Sequence, residues 1–212
     1  MTEPLDRNKT ALTHTATAVV AAWLDGIGCK PVETEVPCGP GWVADLASFW
    51  EPTFTEAKNA KLLRDLVPED VKKSSEEAYT WMYRRLGGRL TVVVEVKVSR
   101  ADFLADAGRK FSTFGPRGQK NASLAWPAHL CVLACPKEVM ADDHLRDWAW
   151  LELSRDCTSV RKFHGMWTHR AIHPGQIEDL IAAIAIRRDH NTRYARVRRF
   201  IKHWRAKDGG AA

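Results

Sequence analysis

The chain reads as an α/β protein. Short valine-rich runs bounded by glycine and proline read as strands, and longer segments around them repeat apolar residues at helical spacing. Its 212 residues, 45% hydrophobic and 27% charged, suffice to bury the core of one domain with embellishments.

The elements follow in order. Residues 11–25 form a helix, because Leu12, Ala16, Val19, Val20, Trp23 and Leu24 make one apolar stripe that Gly26 and Gly28 terminate. Residues 31–36 form a strand, and Gly39-Pro40-Gly41 turns the chain into a second strand at 42–50. Residues 51–89 break the strand rhythm. Helical patterns at 55–66 and 68–86, the latter opened by Pro68, read as an insertion. Gly87-Gly88 returns the chain to a third strand at 90–98. Ser99 then caps a helix reaching to about Phe111, with Asp102 placed for a capping box. Residues 128–134 form a buried strand, and 148–153 with 158–163 form an edge hairpin. Pro174 opens a helix with Ile177, Leu180, Ile181 and Ile184. A break is expected near His190-Asn191. A last helix then puts Tyr194, Val197, Ile201 and Trp204 on its apolar side.

Chemistry concentrates on the third strand. Side chains alternate across a strand, so in Val94-Glu95-Val96-Lys97-Val98 the valines share one face and Glu95 and Lys97 the other. A run so rich in valine is built for burial, and a buried carboxylate and ammonium are costly unless paired or holding a metal. A structural Glu–Lys pair on an edge strand is the plainer alternative. The second strand supplies another acid, Asp45, in Trp42-Val43-Ala44-Asp45-Leu46-Ala47.

Asp45 followed by Glu95-x-Lys97 at the end of a hydrophobic strand resembles the signature of the PD-(D/E)xK nucleases. The run from Glu95 to Asp106, followed by Arg109-Lys110-Phe111, is similar to the MmcB-like DNA-repair branch of that superfamily and its phage-borne relatives. Gly41-Trp42-Val43-Ala44-Asp45 resembles that branch's G-R-R-A-D segment, and residues 129–136 resemble its following strand. The likeness covers roughly residues 10–155, with gaps. Ala107 and Gly108 are extra, Ala128-His129 replaces a Cys-Asp, and a long segment parts Asp45 from Glu95.

The resemblance implies a restriction-endonuclease-like core, a central mixed sheet flanked by helices. The chain is then one nuclease-like domain over 1–212, with a helical insertion at 51–89 and a basic helical extension at 174–207. It also implies a nuclease that hydrolyses DNA phosphodiester bonds with Mg2+ or Mn2+, in DNA repair or processing or in a phage or mobile element. Asp45, Glu95 and the Val96 carbonyl would hold the metal, and Lys97 would orient water or stabilise developing charge. Glu35, with Glu33 on the same side of its strand, is a candidate further acid, against the plainer reading of solvent-facing carboxylates. A non-catalytic DNA-binding scaffold and an RNA-directed nuclease are the alternatives, although no aromatic RNA-binding motif occurs.

The net charge of +6 suits a polyanionic partner. Arg100 beside the site, Arg117 and Lys120 in a basic loop, and Arg196, Arg199 and Lys202 on the last helix are the candidate nucleic-acid contacts, against the plainer reading of solvated charge. The loosely spaced His164, His169 and His173 make a poor zinc set. Five cysteines without paired spacing read as reduced core thiols. With a polar N-terminus and no long apolar run, they point to a cytoplasmic protein with no membrane contact. A homodimer is the oligomer left open.

Overall fold

In the computed structural model, the described residues are 5–38, 42–53, 55–56, 75–86, 88–106, 128–140, 148–164 and 174–208. They form helix α1 (Leu5–Gly26), strands β1 (Val32–Pro37) and β2 (Val43–Trp50), helix α2 (Ser75–Leu86), strand β3 (Leu90–Val96), helix α3 (Arg100–Asp106), strands β4 (Leu130–Pro136), β5 (Ala149–Leu153) and β6 (Val160–His164), and helix α4 (Pro174–Asp208). The expected order of helix, three strands, helix and strand is therefore present, with α2 lying between β2 and β3.

The strands make one mixed six-stranded sheet in the order β1-β2-β3-β4-β5-β6. The pairs β1·β2, β2·β3 and β5·β6 are antiparallel, and β3·β4 and β4·β5 are parallel. Every residue of β3 and β4 is buried. Central strands covered on both faces are expected to be near-continuous apolar runs, which explains Leu90-Thr-Val-Val-Val and Leu130-Cys-Val-Leu-Ala.

Two apolar layers result. On one face, Ala16, Val20 and Leu24 of α1 pack on Leu46, Val92, Val94, Val132 and Leu151. On the other, Phe103 of α3 and Leu180 and Ile184 of α4 join a cluster with Ala47, Val93, Leu133 and Trp150. Glu95 and Lys97 follow Val93 at alternate positions and so lie on the α3/α4 face. Cys131 and Cys135 belong to that layer too, and all five cysteines are free thiols.

Two features sharpen the expectations. Ser99 does cap α3, its Oγ accepting the Asp102 N–H at 3.3 Å. The break near His190-Asn191 is corrected: α4 runs unbroken for 35 residues, about 52 Å of helix. No glycine or proline occurs from Gln176 to Asp208. The residues around the expected break are tied down instead. Arg187 Nε donates to the Thr34 carbonyl (3.0 Å), Asn191 Nδ2 donates to Glu33 (2.9 Å), and Arg193 pairs with Asp189 four residues earlier. Among the described residues, no helix is long and apolar enough to cross a membrane.

Candidate active site

The sheet forks at the predicted acids. The β2·β3 ladder ends at Leu46↔Val94, while β1·β2 continues to Pro37↔Val43 and β3·β4 to Val96↔Ala134. One further step from Leu46↔Val94 leads to Asp45 on β2 and Glu95 on β3, where the ladder has already stopped. Beyond Val94, β3 loses its backbone partner on the β2 side. Asp45 takes up the slack: its Oδ2 accepts the Val96 N–H at 2.7 Å.

The Val96 carbonyl is aimed by its own peptide plane. The Lys97 N–H donates to the Ala134 carbonyl of β4 at 2.9 Å. In a trans peptide the C=O points opposite to the N–H. The Val96 oxygen therefore points away from β4, into the fork.

Glu95 is fully buried and Lys97 is 6% exposed. The Lys97 ammonium lies 3.5 Å from Glu95 Oε2, and the Trp42 indole N–H donates to Glu95 Oε1 at 3.0 Å. Trp42 is itself buried and meets Trp148 edge to face at a centroid separation of 6.2 Å. The Cys131 thiol is buried in the same layer. Burial pushes its pKa well above the usual thiol range, and the charges of Cys38 and Glu95 act in the same direction. It is no nucleophile at neutral pH.

His129 begins the buried run into β4. Its Nδ1 accepts the Thr91 N–H (3.1 Å) and lies 2.9 Å from Thr91 Oγ1, which accepts the His129 N–H in return (3.1 Å). Burial lowers its pKa to about 4, so it is a neutral structural residue near pH 7.

The structure thus brings Asp45, Glu95, Val96 and Lys97 together. Glu35 is engaged elsewhere. Its backbone is left-handed (φ 52°), its carboxylate meets Arg187 of α4, and its side chain is 73% exposed. Arg100 is exposed at the start of α3, with Nη1 3.4 Å from the Met140 carbonyl. Arg196 is exposed on α4, and the helix carries Arg199 and Lys202, whose side chains lie outside the described residues, as do Arg117 and Lys120 altogether. His164 pairs with Glu152 (3.1 Å) and stacks on Trp150 (4.3 Å, 11°), while His169 and His173 lie outside the described residues.

Sequence reasoning missed the Trp42–Glu95 bond, which joins residues 53 positions apart. A tryptophan opening a strand reads as core, and only the register reveals its partner.

The donor chemistry fits a hard divalent cation. Two carboxylates and a peptide carbonyl are all-oxygen ligands of the kind that Mg2+ and Mn2+ prefer. A carboxylate has about four acceptor positions, so the Val96 amide does not exhaust Asp45. Among the described residues, no group of three or more His, Cys, Asp or Glu side chains is placed to hold a metal. The set here relies on two side chains and one backbone oxygen.

Fold and site together define a mixed α/β protein with an acidic fork at the edge of its parallel strands. No protein-family model matches the chain, and neither does any curated protein. Among solved structures it is similar to a protein of unknown function from Silicibacter pomeroyi. That match has a TM-score of 0.51 at 17% identity, over 87% of this chain and 90% of the other. The likeness extends to the α/β fold alone.

Proposed function

We propose that this chain is a metal-dependent phosphodiesterase that cleaves DNA. The observation that carries the reading is the fork. The sheet parts between Asp45 and Glu95, the Val96 carbonyl is turned into the gap, and Lys97 stands beside Glu95 on the same face. The nuclease-like core, the use in DNA repair or processing and the phage association rest on the sequence resemblance.

A divalent cation held there would supply Lewis-acid charge and a nucleophile at neutral pH. The chain's own residues do the rest. Asp45 and the Val96 carbonyl present oxygens from the two sides of the fork. Glu95 is held rigid by Trp42 and its charge is balanced by Lys97. The Lys97 ammonium, buried and short of water, is positioned to orient an attacking water or stabilise charge on a phosphoryl oxygen. Exposed Arg100 at the rim suits a neighbouring phosphate.

The test is cleavage of single-stranded, duplex, nicked and branched DNA, with a parallel RNA arm, in Mg2+, Mn2+ or chelator. Metal-dependent DNA cleavage is expected, and Asp45→Asn should lower it at least about 100-fold with the fold retained. Binding to DNA without cleavage of any substrate would favour the scaffold alternative. Cleavage confined to RNA would replace the substrate and keep the site. Cleavage unaffected by chelator or by Asp45→Asn would end the proposal.

A further inference from the structure

We infer that Trp42 is a positioning residue for the candidate metal site, fixing the carboxylate plane of Glu95. The inference rests on the phosphodiesterase reading and adds to it a residue outside the acid–acid–lysine set. Tryptophan Nε1 can only donate, so its bond to Glu95 Oε1 at 3.0 Å has one polarity. It sets the terminal torsion of Glu95, which is otherwise a broad, roughly two-fold rotor.

The donor is itself held in place. Trp42 is 5% exposed, its ring meets Trp148 at 77°, and its carbonyl accepts the Cys38 N–H at 3.0 Å. With Oε1 committed to the indole, Oε2 is the oxygen beside Lys97, 3.5 Å away. Trp42 also lies three residues before Asp45, at the entrance to β2. One short segment therefore supplies the acid on one side of the fork and the hydrogen bond that orients the acid on the other. Partners of this kind, one shell out from the metal, typically govern affinity by about 10- to 100-fold.

The test compares wild type with Trp42→Phe, which keeps a ring and deletes the N–H. Free Mn2+ is measured by electron paramagnetic resonance during titration, and folding by urea denaturation. The expected result is Mn2+ binding weakened by about 10-fold or more in a folded variant. In cleavage assays the half-saturating Mn2+ should rise by the same factor, while kcat at saturating Mn2+ stays within about 3-fold, a split that a merely structural role would not produce. Should Trp42→Phe fail to fold, 3-benzothienylalanine at position 42 replaces the N–H by sulfur within a ring of nearly the same shape. Wild-type Mn2+ binding matched by the variant would overturn the role of Trp42 and leave the site. Absence of Mn2+ binding by the wild type would overturn the metal site and this inference with it.

Discussion

Replacing Lys97 by methionine isolates the electrostatics of the site. The substitution keeps an unbranched chain and removes the ammonium 3.5 Å from a carboxylate with no exposed surface. At that distance and an effective dielectric near 20, the direct attraction is roughly 5 kcal/mol. Removing one member of a buried pair costs about 3–5 kcal/mol, because the other charge stays behind in a poor solvent. The Trp42 hydrogen bond remains and moderates the loss, so about 3 kcal/mol is expected. With a urea slope of about 2–3 kcal/mol per molar, the unfolding midpoint should fall by roughly 1 M. Glu95→Gln in the same chain should return much of that stability, since the pair then becomes neutral. Saturating Mn2+ should also recover part of it in the single variant, by about 2.7 kcal/mol at 100 times the dissociation constant. A midpoint for Lys97→Met within about 0.2 M of wild type would refute the coupling, and with it the view that Lys97 balances Glu95.

Two further outcomes are expected. The His129 pKa of about 4 lies below the unfolded value near 6.5, so its contribution is complete above pH 6.5 and is lost as pH falls through the folded pKa. Between those limits the wild type should lose about 3 kcal/mol more than His129→Asn in urea titrations at stepped pH, and parallel profiles would contradict the burial argument. Replacing Arg196, Arg199 and Lys202 by Gln should weaken metal-free DNA binding on all sequences alike. The log–log salt slope should flatten by about 0.9 per lost phosphate contact, and an unchanged slope would remove α4 from the DNA interface.

Much of the fold was legible because burial writes itself into strand composition. The valine-rich third strand and the apolar run into β4 are sandwiched between helices, and their short length, with β-branched residues in the third strand, favours strand over helix. The bond from Asp45 to the amide that follows Glu95 could not be read from local pattern, since nothing local joins residues 51 positions apart. The shared face of Glu95 and Lys97 followed from alternation. The long helix was misread at His190-Asn191, where polar residues imitate a stop. They persist in helix because β1 supplies carboxylates for Arg187 and Asn191, a long-range satisfaction that no local pattern carries. The same pairing draws Glu35 toward Arg187, which a period-two argument alone could not foresee.

The placement of charge argues against a merely structural Glu–Lys pair. A chain needing only stability at the end of β3 would gain from apolar side chains, since buried ion pairs rarely outperform well-packed hydrophobics of similar volume. Val93, Leu133 and Cys131 show that the layer around Glu95 is apolar. The two acids nonetheless lie at the point where β2 and β3 stop pairing, and Asp45 caps the amide that the parting leaves behind. A structural pair would sit as well further along the ladder. Local cost concentrated at a break in regular structure is what a functional site leaves in an otherwise self-consistent fold. The indole of Trp42 then has a clear physical role, since it gives a fully buried glutamate oxygen a fixed donor.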